Sequence, residues 1–423
     1  MKKRRTYEWS KLDNAAKIFP PNSKKSDTKV FRFACELKES IHKKVLQDAL
    51  DVTLEAFPLY KSIIKSGLFW FYFEESHFRP IVTEENIPPC TTLYDKNDKK
   101  LLFRVMYYNK RISFEVYHAL SDGAGALQFF RTLIYNYVLL KYRNEFKDEV
   151  PILDYDASRI QKMDDSFQKY FTESKLKRKG KKVKAYRIRG QKIPEYRIRV
   201  TEGVMPVDSI IAIVKEYKTS LTIFLAAVLM CSINEDIPVR LKKKPVILSI
   251  PVNLRNFYYS QTARNFFGVI NVDYNFEKGS NELRDVISHL NNSFKKNLTP
   301  EHLGQRINML ASLEHNYFLR AIPLVIKNII LRVANNIADK GYTSTLSNIG
   351  IINMPEEIKP FISSFDIFVS TNKLQACVCS FENNLRISFT SAFINTEIQR
   401  HFFRTLTDMG IPVEIVSNKI DEE

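Results

Sequence analysis

One stretch of the chain combines the residue types that proton transfer requires. It reads Tyr117-His118-Ala119-Leu120-Ser121-Asp122-Gly123-Ala124-Gly125. A neutral imidazole accepts a proton near neutral pH, which is the task of a general base, and the Asp-Gly turn can hold that ring in a cleft. The glycines would also expose backbone amides at a helix start, where negative charge is favoured. We therefore interpret His118 as the candidate catalytic residue.

The sequence around His118 predicts a strand that leads into a helix. Ile112 to Tyr117 alternates between apolar and polar side chains, whereas Ala126 to Tyr142 is strongly apolar and long enough for a helix. A second strand is predicted over Val30 to Leu37, and a core-facing helix over Ile41 to Phe57. His118 is thus expected at a strand end.

Two segments of the second half contribute further candidate residues. Val246 to Ile250 predicts a short apolar strand that runs into Pro251-Val252-Asn253-Leu254-Arg255. Ser344 to Gly350 predicts a small polar turn that brings backbone amides close to a ligand. Between them, Glu282 to Leu298 and Glu301 to Asn336 are predicted to be helical.

An internal repeat indicates two halves of similar fold. Arg111-Ile112-Ser113-Phe114 recurs as Arg386-Ile387-Ser388-Phe389, and Phe129-Phe130-Arg131-Thr132-Leu133 recurs as Phe402-Phe403-Arg404-Thr405-Leu406. Hairpin turns are predicted at Asn109-Lys110 and at Asn383-Asn384, although short identities can also reflect the shared needs of the two patterns. Phe393 stands where His118 stands in the first copy. We therefore predict one active site per chain, facing the second half across a cleft.

The charge and the cysteine content limit the classes of protein to which this sequence can belong. The chain has 423 residues and a formal net charge of +17, which predicts attraction to anions. No zinc pattern or RNA-binding motif accompanies this charge, so no nucleic-acid partner is expected. Five cysteines do not suggest a disulfide framework, and Cys377 and Cys379 are predicted to be buried free thiols rather than metal ligands. These features favour a reducing compartment.

The predicted domains are residues 1–170, a connector with an edge strand at 171–200, and residues 201–423. The basic residues of the connector, from Lys175 to Lys184, form either a solvated linker or a patch that attracts anions. Met1-Lys2-Lys3-Arg4-Arg5 is not followed by an apolar signal core, and no membrane span is predicted. We expect a cytoplasmic protein, with a peripheral membrane position as the alternative.

The motif at His118 resembles a known signature. His118-Ala119-Leu120-Ser121-Asp122-Gly123 is similar to the HxxxDG motif of the coenzyme A-dependent acyltransferase superfamily. Pro251 to Arg255 and Ser347-Asn348-Ile349-Gly350 resemble segments of its alcohol acetyltransferase and wax ester synthase branch. Tyr117 replaces the first His of the peptide-condensation motif HHxxxDG, and no Asp-Phe-Gly-Trp-Gly segment of the BAHD type is present, which argues against those two branches.

This resemblance implies an α/β (α+β) fold of two chloramphenicol acetyltransferase-like subdomains. Each would be a mixed β-sheet with helices, and the two would form a pseudodimer with a tunnel at the interface. It implies a standalone acyltransferase with no permanently bound cofactor and no metal. The co-substrate would be acyl-CoA or an acyl-carrier phosphopantetheine, and the acceptor a small molecule or a lipid. The alternative is a non-catalytic binding module of the same fold.

The resemblance also assigns roles to the candidate residues. His118 would be the general base and form no acyl-enzyme. Asp122, with Gly123, would fix the loop, and Arg255 is its candidate partner, with a surface position as the alternative. Ser347 and Asn348 would contact the oxyanion or the cofactor, with a simple turn as the alternative. An acidic carrier protein or an anionic membrane surface are candidate partners of an expected monomer.

Overall fold

The computed structural model describes residues 9–146, 149–155, 157–172, 184–194, 197–315 and 320–418. Within these residues the strands form a five-stranded sheet, a seven-stranded sheet and a small three-stranded sheet. The strands are β1 (Trp9–Lys11), β2 (Val30–Leu37), β3 (Ser62–Ser66), β4 (Phe71–Glu75), β5 (Thr83–Glu84), β6 (Phe103–Tyr108), β7 (Arg111–Tyr117), β8 (Arg199–Pro206), β9 (Val246–Asn253), β10 (Phe267–Tyr274), β11 (Ser344–Ile351), β12 (Ile362–Val369), β13 (Leu374–Phe381), β14 (Asn384–Ser391) and β15 (Glu414–Ser417). The helices are α1 (Phe19–Asn22), α2 (Lys43–Ala56), α3 (Gly123–Lys141), α4 (Arg159–Met163), α5 (Ser166–Lys169), α6 (Val207–Glu216), α7 (Leu221–Asp236), α8 (Leu283–Asn297), α9 (Pro300–His315), α10 (Leu324–Asp339) and α11 (Glu397–Asp408).

The first sheet has the strand order β12-β2-β7-β6-β5. The predicted strand over Val30 to Leu37 is confirmed as β2, and the predicted helix after His118 is α3. Helices α2 and α3 pack against each other, and their apolar side chains form one core with those of β2 and β7. Strand β5 pairs in parallel with β6 whereas the other neighbours are antiparallel, so the sheet is mixed.

The second sheet has the strand order β10-β9-β11-β13-β14-β8-β15. Its core is formed with α7, α8 and α11, and α7 is apolar on nearly all sides because it lies inside that core. Strand β8 lies between β14 and β15, away from the sheet edge that the sequence suggested. The basic residues at 175–182 lie outside the described residues, so their part of the predicted connector has no structural account.

One strand of the second half belongs to the first sheet. Strand β12 pairs antiparallel with β2 over the whole length from Ile362↔Leu37 to Val369↔Phe31. It also packs against β13 and β14 of the second sheet. The two halves are therefore joined by main-chain hydrogen bonds as well as by side-chain packing. The domain boundaries given above stay predictions.

The internal repeat corresponds to two strand–helix units, β7 with α3 and β14 with α11. Phe114 on β7 stacks on Phe129 with ring centroids 4.8 Å apart, and Phe389 on β14 contacts Phe402 edge-on at 5.0 Å. The second hairpin turns at residues 382 and 383, one residue before the predicted position, and Glu382 takes a positive φ of 51° there.

The turn predicted at Ser344 to Gly350 is wrong, because these residues lie in β11, an interior strand of the second sheet. It pairs in parallel with β9 on one side and β13 on the other. Ser344 is fully buried, and its hydroxyl donates to the Leu374 carbonyl oxygen at 2.7 Å. Hydrogen bonds to the neighbouring strands thus satisfy the polar groups of this segment, whose composition is typical of a turn. Within the segment, the bulge at Gly350, with φ of 87°, keeps turn-like geometry.

The continuous helix predicted from Glu301 to Asn336 is also wrong. Helix α9 ends at His315 and α10 begins at Leu324, after Pro323 with ψ of 147°. Proline disfavours helical continuation at the residue before it and lacks an amide hydrogen. No single helix in the described residues is long and apolar enough to cross a membrane; α6 and α7 meet the requirement only as a pair, bent by 83°.

The cysteines of the structure are free thiols. Cys377 and Cys379 are 2% and 1% exposed, which confirms that they are buried. Among the described residues no group of three or more His, Cys, Asp or Glu side chains is placed to hold a metal ion.

A buried charge cluster fixes β7, the strand that ends beside His118. Glu115 is fully buried, and its Oε1 accepts hydrogen bonds from Arg32 Nε at 2.8 Å and from the Cys90 amide at 2.6 Å. Its Oε2 accepts from Arg104 Nε at 2.6 Å. The carboxylate therefore links three neighbouring segments of the first half.

We predict that Glu115→Ala lowers the free energy of unfolding by about 3–5 kcal/mol, because the buried Arg32 cation loses one of its two carboxylate partners, Glu115 and Glu85, and the buried Cys90 amide loses its acceptor. Urea unfolding followed by circular dichroism measures the change. Glu84→Ala, on the exposed strand β5, is the matched control and should stay within about 0.5 kcal/mol of the parent. Equal stability of the two variants would contradict this account.

Candidate active site

A cavity of about 230 Å³ lies where the two sheets meet. Its lining includes residues of the HxxxDG loop and of strands β9 to β13. The lining residues are Phe31, His118, Asp122, Gly123, Ala124, Leu127, Gln128, Pro251, Val252, Asn253, Phe267, Ser347, Asn348, Ile349, Ile367, Val369, Gln375 and Cys377. Five of the six residues that the sequence nominated thus lie around one cavity, and Arg255 lies beside it.

The His118 imidazole is held by aromatic packing. Its ring stacks on Phe19 with centroids 4.5 Å apart and contacts Phe31 edge-on at 5.2 Å. Phe267 from β10 lies at 5.6 Å on the opposite half of the chain. The backbone is fixed too, because the His118 amide donates to the Lys29 carbonyl oxygen at 2.8 Å. The ring is therefore oriented by both halves.

Burial lowers the pKa of His118 from its ordinary value, since the apolar surroundings disfavour the imidazolium ion. Its own backbone, the Asp122 carboxylate and Asn265 oppose this effect in part. Nδ1 is buried and makes no hydrogen bond in the described part of the chain. The residue as a whole is only half-buried, so the ring still reaches the cavity. The imidazole is thus neutral near pH 7.

Both carboxylate oxygens of Asp122 are used to hold the loop. Oδ1 accepts from the Gly125 amide at 2.7 Å, which caps the first turn of α3. Oδ2 accepts from Arg255 Nη1 at 2.9 Å and from the Phe266 amide at 2.6 Å. The side chain therefore ties the first-half loop to the second half, which is the arrangement expected of a bracing residue.

The Arg255 guanidinium is fully engaged inside the protein. Nη2 donates to the carbonyl oxygens of Thr262 at 2.9 Å and Arg264 at 2.6 Å, and Nε donates to Thr262 at 3.1 Å. Its contact with Asp122 gives a charge pair whose side chains are 13% and 5% exposed. Arg255 is thus neither a surface residue nor a group aimed at a ligand, since its donors point to Asp122 and to the main chain.

The loop at residues 262–266 docks directly on the HxxxDG loop. The Ser121 hydroxyl donates to the Ala263 carbonyl oxygen at 2.5 Å. A Cβ atom at Gly125 would collide with the same carbonyl, so only glycine permits this approach. Asn265 Nδ2 donates to the Ala119 carbonyl oxygen at 3.3 Å. Main chain of the second half therefore lies within hydrogen-bond distance of the loop that carries the histidine.

Strand β11 forms another wall of the cavity. A Cβ atom at Gly123 would lie 2.9 Å from Ile349 Cδ1, so a larger residue there would press on this strand. The Asn348 amide is occupied, because Nδ2 donates to Thr222 Oγ1 at 2.9 Å and Oδ1 accepts from the Gly350 amide at 2.9 Å. The Ser347 hydroxyl makes no hydrogen bond in the described residues and is the freer group.

Sequence reasoning missed several residues that shape the site. Phe19, Phe31 and Phe267 contact His118, and Asn265 lies beneath its loop. Phenylalanines spread through the sequence carry no signal of such convergence. Asn265 also donates to Asp13 Oδ2 at 3.3 Å, and burial raises the pKa of Asp13 to about 6 against the attraction of Arg264.

A larger cavity lies elsewhere. It measures about 810 Å³, and among the described residues that line it there is no histidine. Its walls include Trp9, Trp70 and Tyr72 from the small sheet, together with Arg320. The cavity with the greater volume is therefore not the cavity that His118 and the contacts between the two halves mark as the candidate site.

No family model and no curated protein matches this sequence. Solved structures do match along nearly the whole chain. TRI101 of Fusarium graminearum, crystallised with coenzyme A and T-2 mycotoxin, is 12% identical with a TM-score of 0.65, covering 96% of this chain and 99% of that one. TRI3 trichothecene 15-O-acetyltransferase of Fusarium sporotrichioides is 12% identical with a TM-score of 0.62, covering 95% and 94%.

A condensation domain gives a similar match. The first condensation domain of the CDA synthetase is 12% identical with a TM-score of 0.59, covering 96% of both chains. At such low identity the comparison establishes the fold alone. The predicted fold class is confirmed: the chain is built of two chloramphenicol acetyltransferase-like subdomains with mixed sheets, the architecture that these acetyltransferases and condensation domains share.

Proposed function

We propose that this protein transfers an acyl group from a thioester donor to a hydroxyl or amine acceptor, with His118 as general base. The observation that carries the proposal is the neutral, tightly packed imidazole at a cavity between the two halves. The proposal gains support from the fold, because two proteins that share it are named as an acetyltransferase and as a complex with coenzyme A. Acyl-CoA is thus the first donor to test, with an acyl-carrier phosphopantetheine as the second.

The proposed reaction proceeds in two proton transfers. His118 removes the proton from the acceptor oxygen or nitrogen as that atom attacks the thioester carbonyl carbon. The C–S bond then breaks, the imidazolium returns its proton to the leaving thiolate, and the acylated acceptor and free thiol depart. Because Nδ1 is buried, Nε2 is the ring nitrogen that would meet the acceptor. No covalent acyl-enzyme is required.

The remaining residues would position the reacting groups. Asp122 and Arg255 hold the loop and make no direct chemical contribution. The Ser347 hydroxyl faces the same cavity and would donate to the oxyanion that forms on the thioester carbonyl. The cavity of about 230 Å³ suits the reacting ends of two substrates, since whole-ligand pockets typically measure about 300–1,000 Å³. The larger parts of the substrates would therefore extend outside it.

We predict that His118→Ala lowers kcat by at least about 10²-fold, the contribution of a positioned general base. The assay follows thiol release from a panel of short- and long-chain acyl-CoA donors with alcohol and amine acceptors. His289→Ala, an exposed histidine on α8, is the control and should retain parental activity. Activity of His118→Ala within a few fold of the parent would contradict the general-base role. A parent that consumes no thioester would favour the non-catalytic binding module.

The pH dependence should follow the neutral imidazole. The base works unprotonated, so the rate should rise with pH and reach a plateau. Because burial lowers the pKa of His118, the midpoint of the acidic limb should lie below the ordinary value of 6.5. Profiles of kcat/KM measure it. The limb should persist in Asp13→Asn, which removes a buried carboxyl group whose pKa is raised to about 6. A midpoint above 6.5 in both proteins would refute this assignment.

The bracing role of Asp122 can be tested by a double-mutant cycle with Arg255. Asp122→Asn and Arg255→Met should each lower the free energy of unfolding by about 3–5 kcal/mol and reduce activity, because each leaves a buried partner unpaired. The double variant should cost less than the sum by about 0.5–3 kcal/mol. Urea unfolding measures all three variants.

The exposed pair Arg79–Asp51, whose side chains are 64% and 36% exposed, supplies the control. Asp51→Asn should cost no more than about 1 kcal/mol, as is usual for surface ion pairs. An Asp122→Asn protein with unchanged melting temperature and full activity would contradict the bracing role of Asp122.

A further inference from the structure

Helix α10 turns its most apolar face to the solvent instead of to the core. Its outward face carries six aliphatic side chains in a stripe that follows the three-and-four spacing of one helix face. The stripe residues are Val325, Ile326, Ile329, Ile330, Val333 and Ile337, and their side chains are 48% to 72% exposed. The stripe extends over roughly 18 Å along the helix at 1.5 Å per residue. Leu68 and Phe69 lie next to its first turn and are exposed as well.

The face of α10 that is turned to the protein combines the buried Leu324 with polar side chains. Lys327 is buried, and its Nζ donates to the carbonyl oxygens of Phe69 at 3.0 Å and Arg320 at 3.2 Å. The same ammonium lies 3.5 Å from the centre of the Trp70 ring. Arg332 Nε donates to the Pro21 carbonyl oxygen at 2.8 Å. Rotation of the helix to bury its apolar stripe would break these contacts, so the exposure of the stripe is built into the fold.

Exposed basic residues lie near both ends of α10. Arg320 precedes the helix and Lys340 follows it, and both are exposed. Lys24 follows α1, the helix that packs against α10. At the far end, Arg187 and Arg189 share a shallow cavity with Asp339. Asp339 is the one acidic residue of α10 and is already paired with Lys373 at 3.2 Å.

We propose that the α10 stripe and its basic rim bind the surface of an anionic phospholipid bilayer. An exposed aliphatic helix face inserts between lipid headgroups, and lysines and arginines at its edge attract the negative surface. The net charge of +17 strengthens that attraction. A second copy of the chain fits less well, because stripe-to-stripe pairing would place two positive rims against each other. This inference does not depend on the proposed acyl transfer.

Vesicle sedimentation of the full chain tests the proposal. We expect binding to phosphatidylcholine vesicles that contain phosphatidylglycerol, weaker binding to pure phosphatidylcholine, and loss of binding at high salt. Ile329→Asp/Val333→Asp should weaken binding to the anionic vesicles at least tenfold. Ile152→Asp/Val239→Asp is the matched control, since it makes the same two substitutions at sites that are 88% and 83% exposed elsewhere.

Four results would overturn the proposal: no binding to anionic vesicles, equal binding to both vesicles, equal binding by both double variants, or a parental dimer that only Ile329→Asp/Val333→Asp dissociates. The melting temperature of that variant should match the parental value. A marked fall would show instead that another part of this chain covers the stripe.

A second variant keeps the test decisive if the double variant fails to fold. The tryptophan emission of Ile329→Trp should shift to shorter wavelength on anionic vesicles, whereas that of Val239→Trp should not. An unshifted emission at position 329 would also overturn the proposal.

Discussion

The contact on which the site depends is the charge pair between Asp122 and Arg255. One carboxylate oxygen caps α3 in the first half, while the other accepts from Arg255 and from the Phe266 amide in the second. Such a buried pair is costly to desolvate, and it is retained here with every donor and acceptor satisfied. The histidine loop, the loop at 262–266 and the end of β9 are thereby fixed in one arrangement. The imidazole is then held at the cavity by the rings of Phe19, Phe31 and Phe267.

The local sequence was sufficient to predict the elements that carry the site. Alternation predicted β2, and the apolar run after His118 predicted α3, since each pattern lies within a single element and needs no distant partner to be recognised. The repeat also located two strand–helix units, because Phe114 and Phe389 face equivalent aromatic pairs on the following helices. The comparison of Phe393 with His118 then predicted that one half alone carries the candidate base.

The sequence could not predict what depends on distant pairing. Ser344 to Gly350 resembles a turn in isolation, yet pairing with β9 and β13 makes it part of an interior strand. The aromatic wall of His118 comes from Phe19, Phe31 and Phe267, which no periodicity connects. Helix α10 is a further case. Its apolar stripe predicts a buried face, but the buried hydrogen bonds of Lys327 turn that face toward the solvent. Tertiary contacts override local preference in each case.

Strand β12 comes from the second half of the chain but belongs to the first sheet, and this affects how the chain can fold during synthesis. Strand β2 is complete once residue 37 has been made, but its partner β12 ends at Val369. Until then the first sheet has an open edge of unpaired main-chain groups, the kind of surface that associates with other chains. The half that carries the histidine therefore cannot finish folding before most of the other half exists. Residues 1–170 alone would therefore leave β2 without one of its two neighbouring strands.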